Sequence, residues 1–248
     1  MIKNMMLGLS LLISVQAGAQ NGSPARHSGS LPNLNERFTG GKDQLRLYLG
    51  ETTTYPAEAV VRGRMGLSIA AVTVTPNGRV AAITIVNSLG DPIDNEVTRV
   101  LRGTDGRWRK MQPNYDTETF YIQLRFQLAH HPFYSPDISG PNIMAPLSIT
   151  ASGAPETSTH HILSDGKLAH RMQVAMEASD YALALNLLDE AIRRNPYNLD
   201  AYPMRITCSR HLYQRSQAMK DVRKLKRFMN QEPLASFASD KDTQSSTR

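Results

Sequence analysis

The sequence predicts an α+β protein in two parts, a small antiparallel sheet carrying helix and, after it, an all-α module. Three observations carry this: apolar residues alternate with period two up to residue 128, the period turns helical after residue 165, and the stretch between is rich in Pro, Ser and Thr. The 248 residues leave room for one or two ordinary domains. A single Cys cannot build an internal disulfide framework, and 40% hydrophobic with 20% charged residues exclude a wholly disordered chain.

The first 19 residues read as a cleaved signal peptide. Lys3 supplies the positive start, Met5 to Val15 an apolar run too short to span a bilayer, and Ala17-Gly18-Ala19 the small residues before the cut. The mature protein is therefore expected in the periplasm, or secreted, with no stable insertion in a membrane. Residues 20–42, rich in Gly, Ser, Asn and Pro, predict a flexible lead-in, with order beginning at 43.

Residues 67–75, rich in β-branched side chains and uncharged, predict a strand. Pro76-Asn77-Gly78 turns the chain, and residues 79–88 return it as the second arm of a hairpin. Asp91 and Pro92 open a helix that places Ile93, Val97, Val100 and Leu101 on one face, with Gly103 and Gly106 at its end. Over residues 119–128, Phe120, Ile122, Leu124, Phe126 and Leu128 alternate with Tyr121, Gln123, Arg125 and Gln127, which predicts a strand with one face on a core and one on water. Residues 129–164, with Pro132, Pro136, Pro141, Pro146 and Pro155, predict a linker; 165–230 a helical module; and 231–248 a disordered tail.

Tyr55-Pro56 followed by Ala59, Gly66 opening a strand, Val74-Thr75-Pro76-Asn77-Gly78-Arg79-Val80, Val86-Asn87-Ser88-Leu89-Gly90-Asp91, Trp108-Arg109 with Pro113 soon after, and the last alternating strand together resemble the TonB C-terminal domain, over about residues 45–128 of a domain placed at 43–128. The resemblance implies two short helices, the first beginning at Ala57 to Val61, on a three-stranded antiparallel sheet. It also implies a partner, an envelope protein of the TonB-dependent outer-membrane receptor kind, whose extended segment pairs with the edge of strand 119–128. Tyr55, Pro56, Tyr121, Gln123, Arg125 and Gln127 are the candidate contacts. The other reading of those four strand residues is a sheet face that merely meets water, of Tyr55-Pro56 a turn before a helix, and of Trp108 a core aromatic. Energy-transducing members of the family keep an uncleaved anchor and a long Pro-rich spacer. Here the anchor reads as cleaved, so the expected role is an interaction adaptor; a transducer of outer-membrane transport and a structural homodimer pairing strand 119–128 with its twin are the alternatives.

At an offset of 34, Leu168 meets Tyr202, Ala184 meets Ala218, Leu188 meets Val222 and Ala191 meets Leu225. Asp180 to Ile192, closed by Asn195-Pro196, resembles the second helix of a tetratricopeptide repeat. About two such units are present, fewer than usually stand alone, so the module is expected to pack on the first domain, a twin or a partner. Its groove would either bind a peptide or serve as a cap.

Nothing points to catalysis or a cofactor. The His130-His131 and His160-His161 pairs have no acidic or Cys residue at ligand spacing, and no phosphate loop or nucleophile elbow is present, so neither an enzyme nor a metal site is expected. The formal charge of +6 is local: between Arg210 and Arg227 stand seven basic residues and one acidic. That distribution and the export signal argue against nucleic acid. Lys220, Arg223, Lys224 and Arg227 form a basic helix, either a solvated face or a contact for an acidic partner or anionic envelope surface.

Overall fold

The computed structural model describes residues 33–112, 115–152 and 162–229, the side chains to residue 225. The signal peptide, residues 20–32 of the lead-in, the 153–161 stretch with His160 and His161, and the 231–248 tail lie outside the described residues.

The hairpin forms as the sequence implies. β1 (Gly66–Val74) pairs antiparallel with β2 (Val80–Asn87) across a turn in which the Thr75 N–H donates to the Arg79 carbonyl at 2.9 Å. Gly78, at φ +76°, passes so close to the Trp108 carbonyl that a Cβ would meet that oxygen at 2.3 Å, which restricts the site to glycine. α4 (Asp91–Arg102) buries Ile93, Val97, Val100 and Leu101 on its inner stripe. Its start is held by Asp94 rather than by Asp91: the Asp94 carboxylate accepts the Leu89 N–H at 3.0 Å and also the Ser88 hydroxyl. β3 (Glu118–Leu128) then lies antiparallel to the other side of β1, from Gly66 opposite Phe126 to Val74 opposite Glu118.

Two expectations are overturned. The sheet has four strands and is mixed, in the order β2-β1-β3-β4, because β4 (Leu147–Ala151) adds parallel to β3 from within the expected linker. The lead-in is also ordered from residue 33, as α1 (Leu34–Arg37) and the start of α2 (Gly41–Thr52). Asn33 and Glu36 close a reciprocal capping box on α1. Leu34 and Phe38 enter the core, Phe38 edge-on to Trp108 with ring centroids 5.1 Å apart. Between them Arg37, also buried, donates through Nε to Glu118 at 2.6 Å. Burial pushes the Glu118 carboxyl above its usual range, and the Arg37 guanidinium opposes that shift. A third short helix, α3 (Ala57–Val61), follows Tyr55-Pro56, so the two helices expected on this sheet, α3 and α4, are joined by α1 and α2.

The helical module comprises α5 (Asp165–Glu177), α6 (Tyr181–Arg194), α7 (Ala201–His211) and α8 (Arg215–Met229), each packed on the next. Ser179, at φ 56°, turns α5 into α6, and Tyr213, at φ 58°, turns α7 into α8, a recurrence 34 positions apart. Leu168, Ala184, Leu188, Tyr202 and Cys208 form the core of the bundle. Within it the Arg205 guanidinium forks onto Asp221, at 2.6 and 2.8 Å, and reaches Asp189 at 2.9 Å. No helix among the described residues is long and apolar enough to cross a membrane.

The two parts touch. Leu67, Ile69 and Ala71 of β1 and Tyr121 of β3 form a separate apolar cluster with Tyr197, from the turn after α6. At Gly66 the Arg193 carbonyl of α6 approaches so closely that a Cβ would stand 2.4 Å from it.

Candidate interaction site

The edge of β3 expected to face a partner is the place to begin. A strand edge recruits an extended segment by offering unpaired N–H and C=O groups, while alternate side chains set the fit. In the folded chain that edge is filled. Tyr121 donates its N–H to the Asn142 carbonyl at 2.8 Å and accepts from the Met144 N–H at 2.9 Å. The pairing resumes as Leu124 opposite Leu147 and continues to Leu128 opposite Ala151, followed by the Ala129 N–H donating to the Ala151 carbonyl at 2.9 Å. Residues 142–151 thus lie along the edge as an extended segment, broken only around Ala145-Pro146.

Side chains complete the seat. Gln123, fully buried, donates through Nε2 to the Met144 carbonyl at 3.0 Å and the Ile138 carbonyl at 2.8 Å. Its Oε1 accepts the Tyr197 hydroxyl at 2.8 Å, and burial raises the Tyr197 pKa, which keeps that phenol a neutral donor. Arg125 binds the Ser135 hydroxyl and carbonyl and pairs with Asp137 at 2.5 Å. Gln127 donates to the Thr150 hydroxyl at 3.0 Å. From the other side, Arg46 on α2 donates to the Ala145 carbonyl at 2.8 Å and Lys42 to the Gly140 carbonyl at 2.7 Å.

The wet face expected of β3 is therefore corrected. Tyr121 and Gln123 are buried, and Arg125 and Gln127 are half-buried among the chain's own groups. The alternation is real, but its polar side meets residues 135–150 and the turn after α6. The homodimer that pairs two copies of strand 119–128 finds no support here, since both edges of β3 are paired within one chain.

Tyr55 and Pro56 stand apart from that edge. Tyr55 packs edge-on against Phe126, with ring centroids 5.3 Å apart, and its hydroxyl donates to the Arg64 carbonyl at 2.7 Å. Burial first, and the Glu190 charge second, raise its pKa. Pro56 is the N-cap of α3. Trp108 is buried, stacked on Phe120 at 5.1 Å, with Nε1 donating to the Thr104 hydroxyl at 3.1 Å.

The edge that remains open opposite β4 is β2, whose residues Val80 to Asn87 include no charged side chain. On the basic helix α8, Lys220 and Arg223 are exposed, Lys224 is half-buried, and the Arg227 side chain lies outside the described residues. Sequence reasoning passed over Ile149, the one side chain of β4 that is buried; a lone Ile between Pro146 and Gly153 carries almost no period.

No curated protein and no solved structure matches the chain. A family model does, up to the last residue of β3 and short of β4. Residues 51–128 match the model of the Gram-negative bacterial TonB protein C-terminal, so this part of the chain is similar to that domain.

Proposed function

We propose that the protein is an exported interaction adaptor of the bacterial envelope whose TonB C-terminal-type domain holds an extended segment of a partner by strand addition. The observation that carries this reading is the outer edge of β3, which already takes up an extended segment along Tyr121 to Leu128. β4 is a weak occupant. It has five residues, buries only Ile149, and lies outside the stretch that matches the family. An incoming segment that displaces β4 restores the backbone hydrogen bonds it breaks along Leu124 to Leu128, so the exchange there costs the burial of Ile149 and the Gln127–Thr150 hydrogen bond. The partner class is an envelope protein, with outer-membrane receptors of the TonB-dependent kind as the first candidates, and the place is the periplasm. The helical module, packed on the other face of the sheet, fits a scaffold of tetratricopeptide kind that holds the first domain in place.

The test uses the full mature chain immobilised and exposed to envelope extract of the source bacterium. Ile149→Asp, which loosens β4, should raise capture of an envelope protein several-fold, with the captured segment cross-linking to residues 121–128. Equal capture by both forms, or none, overturns strand exchange at this edge. N-terminal sequencing of the mature protein separates the adaptor from an anchored transducer: an intact Met1 supports the transducer.

A further inference from the structure

Between the sheet domain and the helical module lies a cleft of about 490 Å³. One wall is Arg64 and the Asn87 to Gly90 loop; the other is Leu185, Asp189, Ile192 and Arg193 of α6, with Arg205, Gln214, Gln217 and Lys224 behind. Four cationic side chains and one carboxylate therefore line it.

Those charges are not balanced within the chain. Arg205 is satisfied, because Asp221 and Asp189 both hold it. Arg193 pairs with Glu190 through Nη2, but its Nε is buried with no hydrogen-bond partner. Arg64 is half-buried, and among the described residues no ion pair or hydrogen bond engages its guanidinium. The same holds for the half-buried Lys224 ammonium, which comes from the opposite wall. A buried donor without a partner, here the Arg193 Nε, costs roughly 1–3 kcal/mol, more when charged, which favours a ligand in this cleft that answers it.

Two further effects agree. Burial and the neighbouring Arg193 lower the Arg64 pKa, against an opposing pull from Glu190. Burial and Arg205 lower that of Lys224, against the pull of Asp221. Both cations are thus held where a second cation repels them, and an anion between them would relieve both.

We propose that this cleft is a binding site for a small oxyanionic ligand, bearing phosphate or carboxylate groups, held between Arg64 on one side and Arg193 and Lys224 on the other. A guanidinium fork matches either oxyanion in two-pronged geometry, and Lys224 supplies a point charge from across the cleft. Gln214 adds an amide donor for a ligand larger than the bare anion, while the Gln217 amide already donates to Asp221 at 3.2 Å. The site is independent of the β3 edge, so its failure leaves the adaptor reading intact, and the reverse also holds.

Calorimetric titration of the full mature chain with inorganic phosphate, pyrophosphate and citrate, at low and matched ionic strength against chloride, tests this. At least one probe should bind saturably with one site per chain. Arg64→Gln and Lys224→Gln should each weaken it tenfold or more, while Lys110→Gln, on the exposed surface, leaves it unchanged. Circular dichroism checks that each variant is folded, and Lys224→Gln, on an outer helix, keeps the test valid should Arg64→Gln disturb the turn after α3. Saturable binding by none of the three, affinity indifferent to both substitutions, or loss with Arg64→Gln alone overturns the site. So does uptake of a Glu-rich peptide by a chain that ignores all three small anions. Which probe binds best separates a phosphate ligand from a carboxylate one.

Discussion

The two faces of the sheet are built from the same strands and packed by different means. The face toward α2 and α4 presents Ala70, Val72, Val74, Phe120, Ile122, Leu124 and Phe126 to Leu45, Leu49, Ile93, Val97, Val100 and Trp108, an apolar core. The face toward the helical module has a smaller cluster of Leu67, Ile69, Ala71 and Tyr121, bordered by the hydrogen bonds of Gln123 with Tyr197 and of Asn87 with the Leu67 carbonyl. The first face is the domain's own core. The second has the make-up of an interface within a chain, apolar at its centre and polar at its border. A residue's place on one face or the other should therefore decide whether its loss unfolds the domain or only loosens the docking.

The largest effect is expected on the first face. Phe126 is fully buried, and Phe126→Ala should cost about 3–5 kcal/mol through lost burial and the cavity left behind. Trp108 is the only Trp, so its fluorescence in a urea titration follows this domain alone; an unchanged midpoint would remove the distinction between the faces.

An intermediate effect is expected on the second face. Tyr197→Phe removes the hydroxyl that Gln123 accepts, worth about 0.5–1.5 kcal/mol, and strands the Gln123 Oε1. Hydrogen exchange should quicken in the turn after α6 while the Trp108 transition stays in place. A Trp108 shift as large as that of Phe126→Ala would mean that the two faces unfold as one unit.

The smallest effect is expected at the rim of the first face, where Glu96 accepts from Arg99 at 2.7 and 2.8 Å and from the Thr54 N–H at 2.7 Å. The hydrogen bond from Arg99 is the main cause that lowers the Glu96 pKa below its ordinary 4.5, with burial opposing. A depressed carboxyl stabilises the fold above its unfolded pKa and loses that contribution as pH falls through the folded one. Its partner Arg99 is exposed to solvent, which limits the contribution to a fraction of a kcal/mol, below about 1. The melting-temperature gap between the wild type and Glu96→Gln should accordingly be small near pH 6 and close on acidification below 4.5. A gap that widens with acid would reverse the assignment.

The comparison also explains what the sequence made legible. β1, α4 and β3 each bury a long apolar stripe, so they are legible in the sequence, whereas β2, half-buried at best outside Asn87, is legible from the Pro76-Asn77-Gly78 turn before it. The polar stripe of β3 reads identically whether it meets water or another part of the chain, and only the fold reveals that Gln123 meets Met144 and Tyr197. α2 was hidden because Leu45 and Leu49 point inward while Leu47, between them, is exposed, and Gly40 and Gly41, both at positive φ, stand at its start. The unpaired cations of the inter-module cleft come from segments far apart in the chain, Arg64 and Lys224, and no local pattern joins them. The seven basic residues near α8 marked the region, but only the fold distinguishes Lys224, turned into the cleft, from the exposed Lys220.

β4 is tied to β3 by the 129–146 stretch of its own chain, and that tether has a consequence of its own. A strand on a short tether meets its edge at an effective concentration on the order of millimolar. Any outside segment competes against that standing concentration, so the length and stiffness of residues 129–146 set a threshold for occupancy of the edge. Lengthening the tether at 130–134, ahead of the contacts that Ser135, Asp137 and Ile138 make with β3, would retune the threshold while those contacts stayed the same.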